Sequence, residues 1–248
     1  MRTTEKTTGI LILALILWGI VMIAATNLQF QGSQSNRILL VELGSDAASL
    51  SQAVQATGKS DASGIARNVE LVMLNTRLDF VFIFLYLLTF LSLDYLAGLL
   101  GNRFLASCSA ICICAAALCD VLENRAILSA MGVHPFTDQL AVDITMFSEW
   151  KWAFFFLAAL FLGLAITLNH HISPLRRMSG GIFIAAAAFG ILGISRHRVS
   201  LDFTIWMIGI ANLFIIAALL LSLWKIYQSL KELNHFHEEV HQARARAA

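Results

Sequence analysis

The stretch CDVLENRA, residues 119–126, places two carboxylic acids and an amide at the end of a long apolar run. On a helix, Asp120, Glu123 and Asn124 stand at positions i, i+3 and i+4 and therefore share one face. Carboxylates grouped in this way can bind a cation or a metal ion, or act as acid and base. Charged residues inside membrane spans are costly and usually face the bundle interior or water, paired with one another.

Further ionisable residues are expected at the same depth. Asp79 opens the next apolar run towards the N-terminus, Tyr86 lies seven residues further along the same face, and Lys151 opens the run that follows CDVLENRA. Four more candidates flank the last two apolar runs: Arg196, His197, Arg198 and Asp202. Because three carboxylates cannot all stay ionised and partly buried without cations, we expect Lys151 to be the counter-ion of Asp120 and Glu123.

A simpler interpretation treats the same residues as markers of helix ends. Trp150 and Trp152 are ordinary interfacial anchors, and the long stem of Lys151 can carry its ammonium to the interface. An aspartate lacks that reach, which favours an interior polar site for Asp120. The sequence alone leaves both interpretations open. At the other end of the Asp79 run, we expect Asp94 to pair with Arg103 in a structural role.

Composition predicts a membrane protein. Of the 248 residues, 58% are hydrophobic and 13% are charged, and the mean hydropathy is +0.74. A soluble domain carries about 25% charged residues. The net charge of +1 gives no footprint for nucleic acid. These values predict an all-α, polytopic transmembrane helix bundle that has membrane lipid around it and no nucleic-acid partner.

Six apolar runs are candidate spans, since a hydrocarbon core of about 30 Å requires about 20 helical residues. They are 9–26, 79–100, 104–122, 150–168, 181–195 and 203–224. The first is a retained anchor or a cleaved signal peptide, and its length favours the anchor. An even number of spans puts both termini on one side. The cations Arg2 and Lys6 ahead of the first span indicate a multi-pass protein of the cell (inner) membrane with cytoplasmic termini.

The rest of the chain is expected to form a single membrane domain with these spans. Residues 27–78 are predicted to be an extracytoplasmic amphipathic segment with two short helices, one of them starting at Asp46. Residues 125–149 are predicted to cap the third and fourth spans, and 225–248 to form a cytoplasmic tail. In that tail His237 and His241 have the spacing of metal ligands, although a solvated amphipathic tail is the favoured interpretation.

Three short motifs occur in a fixed order: LDFVFIFLY (78–86), DVLEN (120–124) and EWKW (149–152). This order resembles a pattern of bacterial polytopic integral membrane proteins with no known activity. The resemblance covers residues 78–152, and VELGSDAASL (41–50) is a candidate extension upstream. It implies that these residues matter and supplies no mechanism.

Three functions from different classes remain. The first is a binding or transport protein that holds a small or lipid-like ligand, with a cation among the candidates, at a polar site in the outer half of the bundle. The second is an accessory or scaffold subunit with a membrane-protein partner. The third and least favoured is an outer-leaflet enzyme that uses Asp/Glu acid–base chemistry, so no catalytic residue is assigned. No cofactor or metal is predicted. The predicted polar site comprises Asp79, Tyr86, Asp120, Glu123, Asn124 and Lys151.

The predicted topology can be tested with reporter fusions. A fluorescent protein fused after Ala248 should fluoresce in the cytoplasm, and alkaline phosphatase inserted near Gly58 should be active, since that enzyme folds only on the far side of the membrane. The reverse pattern at both positions would place the polar site on the cytoplasmic side.

Overall fold

All secondary structure in the described part of the chain is helical. The computed structural model describes residues 10, 13, 17–19, 41–44, 46–55, 62–100, 102–133, 136–168, 174–196, 200, 203–222 and 224. Most of the predicted first span and the whole tail with His237 and His241 lie outside these residues.

Six helices make up most of the described structure. They are α1 (Ala47–Gln55), α2 (Ala62–Leu100), α3 (Arg103–Met131), α4 (Asp138–Thr167), α5 (Pro174–Ser195) and α6 (Phe203–Ser222). Five of them, α2 to α6, are long and apolar enough to cross a membrane; in α2 this stretch is Asn68–Leu99. The predicted all-α polytopic bundle is confirmed, with five spans among the described residues.

Three helices extend well beyond their predicted apolar spans at one end of the bundle. Helix α2 begins at Ala62, α3 continues to Met131, and α4 begins at Asp138. Hydropathy detects where an apolar run stops, whereas a helix continues as long as its backbone bonds and packing allow. Thr137 caps α4 by accepting a hydrogen bond from the Leu140 amide at 3.4 Å. The predicted cap at 125–149 therefore consists largely of the ends of α3 and α4.

The extensions enclose a second, smaller apolar core. Its buried members are Val41, Leu50, Ile127, Ala130, Met131, Phe136 and Ile144. Helix α1 contributes Leu50, which is fully buried. This helix starts where the sequence predicts, because the Asp46 carboxylate accepts a hydrogen bond from the Ser49 amide at 2.6 Å. Hydrogen bonds from the Ser49 hydroxyl, and then from the Ser49 and Ala48 amides, lower the pKa of Asp46.

The main core lies among the membrane-spanning helices. Helix α3 packs between α2 and α4, and α4 packs between α3 and α5. The core is filled by aromatic and small side chains, of which Phe90, Phe156 and Phe183 are almost completely buried.

Small residues bring α4 and α5 close together. A Cβ atom placed on Gly180 would meet the Thr167 hydroxyl and would lie 2.8 Å from the Gly163 carbonyl oxygen. By contrast, a Cβ atom on the adjacent Gly181 would meet nothing within 4 Å. Glycine at 180 thus permits the backbone approach that helices in membranes use for packing.

These adjacent glycines form a matched pair for a stability test. We expect Gly180→Ala to destabilise the protein by about 1–3 kcal/mol, since it overpacks a tight interface. Gly181→Ala should leave stability unchanged or raise it by up to about 1 kcal/mol, because alanine favours the helix. Thermal unfolding in detergent measures both. Equal effects of the two variants would contradict this close approach.

Candidate functional site

A cluster of polar side chains lies between the two apolar cores. Helix α2 contributes Asp79 and Tyr86, α3 contributes Asp120, Glu123 and Asn124, and α4 contributes Lys151. The segment 41–44 adds Glu42, the one member that the sequence analysis does not predict. We call this set of seven residues the polar cluster.

Lys151 is the centre of the polar cluster. Its ammonium nitrogen Nζ lies 2.5 Å from Glu123 Oε2, 3.1 Å from Glu42 Oε2 and 3.3 Å from Asp120 Oδ1. Because an ammonium has three N–H donors, it can donate a hydrogen bond to each of the three carboxylates. The same nitrogen lies 5.2 Å from the centroid of the Trp152 ring, close enough for a cation–π interaction.

Hydrogen bonds connect the remaining members. The Tyr86 hydroxyl donates to Asp120 Oδ2 at 3.1 Å, and the Asn124 amide donates to Asp79 Oδ2 at 2.8 Å. Trp152 Nε1 donates to Glu42 Oε2 at 3.4 Å. Every carboxylate of the polar cluster therefore has at least one contact with a hydrogen-bond donor or a cation.

Helical spacing explains this convergence. Asp120, Glu123 and Asn124 share the face of α3 that is buried against its neighbours, as their i, i+3, i+4 spacing predicts. On α4, the buried face at this level runs through Ile144, Ser148 and Lys151. The Tyr86 ring packs edge-on against Phe155 of α4 at 5.7 Å, which directs its hydroxyl towards the polar cluster.

Glu42 is held by bonds from α4 to the segment around it. The Thr145 hydroxyl donates to the Gly44 carbonyl oxygen at 2.8 Å, and the Ala47 amide donates to Asp138 Oδ1 at 3.0 Å. Burial raises the pKa of the Glu42 carboxyl, an effect that Lys151 opposes and nearby Asp120 reinforces. Ionised Glu42 therefore depends on Lys151.

Most of the polar cluster is closed to solvent, yet some acceptors in it and beside it receive no hydrogen bond from the described residues. Glu123 is 0% exposed and Lys151 is 7% exposed. Glu123 Oε1 accepts no hydrogen bond from the described residues, and neither does the hydroxyl of Ser148, one turn before Lys151. Native proteins pair nearly all buried polar groups, so such exceptions require an explanation.

The structure brings together all six residues that the sequence singles out, and Lys151 pairs with Asp120 and Glu123 as predicted. The structure does not bring Arg196 to the polar cluster. This residue is exposed just after the end of α5, and none of the ion pairs with Glu42, Asp120 or Glu123 in the described residues includes it. His197, Arg198 and Asp202, predicted for the same level, lie outside the described residues. That the polar cluster binds a ligand stays a prediction.

Sequence reasoning missed Glu42 because its contacts are distant along the chain. Glu42 and Lys151 are 109 residues apart, and no helical period relates them. A signal existed nonetheless: a single acid interrupts the apolar run ILLVEL (38–43). An acid inside an apolar run indicates a buried partner, although the sequence does not say which one.

The prediction that Asp94 pairs with Arg103 is wrong. Arg103 is exposed at the start of α3, whereas Asp94 is only 4% exposed. No ion pair joins Asp94 to any described cation. Short separation along the chain suggested the pair, but the two side chains lie in different surroundings, one buried and one exposed.

Comparison with protein-family models, with curated proteins and with solved structures gave no match. In the described part of the chain, no group of three His, Cys, Asp or Glu side chains is arranged to hold a metal ion. The four cysteines, all on α3, are free.

A double-mutant cycle measures how strongly the polar cluster is coupled. Lys151→Met leaves three carboxylates without their cation, and Glu123→Gln removes the carboxylate that lies closest to Lys151. Each single change should destabilise the protein by about 3–5 kcal/mol, as expected when one partner of a buried ion pair is removed. The double variant should lose less than the sum, because its two changes affect the same interaction. Thermal or denaturant unfolding in detergent provides the measurement.

Glu70→Gln is the matched control, because it makes the same chemical change at an exposed position on α2. Its effect should stay within about 0.5 kcal/mol. If Lys151→Met and Glu123→Gln were as mild as this control and strictly additive, the residues would merely mark helix ends.

Proposed function

We propose that this chain is a multi-pass protein of the cell membrane that binds or transports a small or lipid-like cationic ligand. The proposed binding site is the polar cluster, in the outer half of the bundle if both termini are cytoplasmic.

The imbalance of charge in the polar cluster is the observation that carries this proposal. Four carboxyl groups, those of Glu42, Asp79, Asp120 and Glu123, surround the single ammonium of Lys151. With every group ionised, the polar cluster would have a net charge of −3. Buried charge of one sign is strongly unfavourable, so the surplus carboxyls must bind protons or a further cation.

The unsatisfied acceptors support a ligand over a purely structural role. A polar network that only holds helices together gains most when all its members are satisfied, since a partly satisfied network is worse than an apolar core. Glu123 Oε1 and the Ser148 hydroxyl do not meet that condition. An ammonium group with N–H donors matches both the free acceptors and the surplus negative charge.

Aromatic side chains beside the carboxylates favour an organic cation over a metal ion. Trp152 stacks on Phe156 with ring centroids 5.7 Å apart, and Tyr86 packs edge-on against Phe82 at 5.4 Å. Ring faces attract ammonium and quaternary ammonium groups, and they also provide surface for an apolar chain. This combination suits a protonated amine with an apolar part; a quaternary ammonium compound would match the rings and the charge without bonding to the free acceptors.

One set of contacts favours the second function, an accessory or scaffold subunit. Lys151, Thr145 and Asp138 of α4 all bond to residues 42–47, which lie outside the spans. They attach an extramembrane segment to the bundle and give that surface a fixed shape. A protein that presents such a surface to a membrane-protein partner would use the polar cluster as an internal anchor.

Thermal unfolding in the presence of defined cations tests the proposal. The probes are choline, ethanolamine and decyltrimethylammonium, each compared with sodium and potassium chloride at equal ionic strength. A ligand that binds only the folded protein stabilises it by about 2.7 kcal/mol at a concentration of 100 Kd. We expect at least one organic cation to raise the Tm in a saturable way, and Glu123→Gln to weaken the effect.

The Glu70→Gln variant should respond like the wild type, since its substitution lies outside the polar cluster. The proposal fails if no organic cation stabilises the wild type more than the inorganic salts do. Strong coupling in the double-mutant cycle together with that negative result would favour the scaffold function.

A further inference from the structure

A further buried acid lies far from the polar cluster. Asp94 is near the C-terminal end of α2, fifteen residues after Asp79, which corresponds to about 22 Å at 1.5 Å per residue. It is only 4% exposed, and neither of its carboxyl oxygens accepts a hydrogen bond from the described residues.

The hydroxyls around Asp94 donate their protons to backbone carbonyl oxygens. Ser109 of α3 lies beside it, but the Ser109 hydroxyl donates its one proton to the Ala158 carbonyl oxygen of α4 at 2.9 Å. Cys112 of α3 is the other neighbour with a dissociable proton. On α2 itself, the Ser92 hydroxyl donates to the Leu88 carbonyl oxygen at 2.8 Å.

Among the described residues, no charged group of the packed helices is a counter-ion of Asp94. At this end of the bundle, α3 has Arg103, which is exposed, and α5 has Arg176 and Arg177. None of these cations forms an ion pair with Asp94. From Trp152 to Thr167, α4 has no ionisable side chain. An isolated carboxylate in such surroundings is strongly unfavourable relative to the neutral acid.

An apolar layer separates Asp94 from the polar cluster. Phe90 and Phe155 pack with ring centroids 5.4 Å apart, and Phe155 packs on Phe156 at 5.7 Å. Phe90 and Phe156 are at most 1% exposed. Since Ser109 bonds to the Ala158 carbonyl oxygen, Asp94 lies near the level of Ala158, less than one turn beyond this layer. Asp94 and the polar cluster therefore lie on opposite sides of it.

We propose that Asp94 is a separate proton-binding site, which exchanges its proton with the aqueous phase at the C-terminal end of α2. Ser109, whose proton is used in its bond to Ala158, has oxygen lone pairs that suit a neutral Asp94 and no donor left for a carboxylate. Ionisable residues inside membrane bundles commonly mark ion or proton pathways. In this reaction the carboxyl O–H bond breaks, water accepts the proton, and the carboxylate remains until it is protonated again.

Infrared spectroscopy of the reconstituted protein tests this assignment. A protonated carboxyl has a C=O band that a carboxylate lacks, and ¹³C labelling of aspartate shifts the bands of aspartates alone. At neutral pH we expect one component of the protonated-aspartate band to disappear in Asp94→Asn. The same component should persist in Asp143→Asn, which removes a carboxylate hydrogen-bonded to Gln139 near the other end of α4.

A second variant, Asp94→Glu, distinguishes loss of the carboxyl group from a folding defect of Asp94→Asn. In this variant a protonated-carboxyl band should be present again. Labelling aspartate with ¹³C should not shift it, because the band now belongs to a glutamate. The component should also weaken as pH rises. In proteoliposomes it should follow the pH of the compartment that faces the C-terminal end of α2.

Three results would overturn the proposal. If neither substitution at Asp94 alters the protonated-carboxyl bands, Asp94 is ionised at neutral pH. A component that never changes with pH would identify a permanently neutral structural group. Loss of the component when sodium replaces choline at constant pH would identify a metal-ion site.

Discussion

A lysine buried within a helix bundle needs negative partners, and this constraint organises the structure. An uncompensated buried charge costs several kcal/mol, so Lys151 is tolerated only where α3 and the segment 41–44 supply carboxylates. Because these partners come from different parts of the chain, the ion pairs fix the depth of α3 against α4 and the position of Glu42 above both. Tyr86 adds α2 to the same arrangement through its bond to Asp120. A relative shift of one helical turn, about 5.4 Å, would break all of these bonds.

Burial of Lys151 depends in turn on the extensions of the helices. From Lys151 to the end of α4 there are sixteen residues, or about 24 Å, which is close to the thickness of the hydrocarbon core. The polar cluster therefore lies near a boundary of that core, where water would reach it if the helices ended there. The smaller core, formed by Leu50, Ile127, Ile144 and their neighbours, covers it instead. Helix length beyond the apolar span is thus what encloses the charged site.

How much of this the sequence predicts depends on how far apart the partners are. The shared face of Asp120, Glu123 and Asn124 follows from helical spacing, and charge balance alone points to Lys151. Glu42 could not be assigned, because no local rule relates it to a helix residue 109 positions later. The lengths of α3 and α4 were underestimated for a related reason: their extensions are stabilised by tertiary packing and not by an apolar run. The Asp94–Arg103 pairing was wrong because chain proximity says nothing about the direction of a side chain.

The binding and scaffold hypotheses are linked through the same ammonium. Lys151 divides its attraction among Glu42, Asp120 and Glu123, so a second cation beside Glu123 would repel Lys151 and compete for its carboxylates. Glu42 depends on Lys151, since burial disfavours its ionised form and Lys151 opposes that effect. Occupation of the polar cluster would then weaken the attachment of the segment 41–44 to α4. A structural anchor and a cation site need not be alternatives, because one set of charges can make the shape of the extramembrane surface depend on the bound ligand.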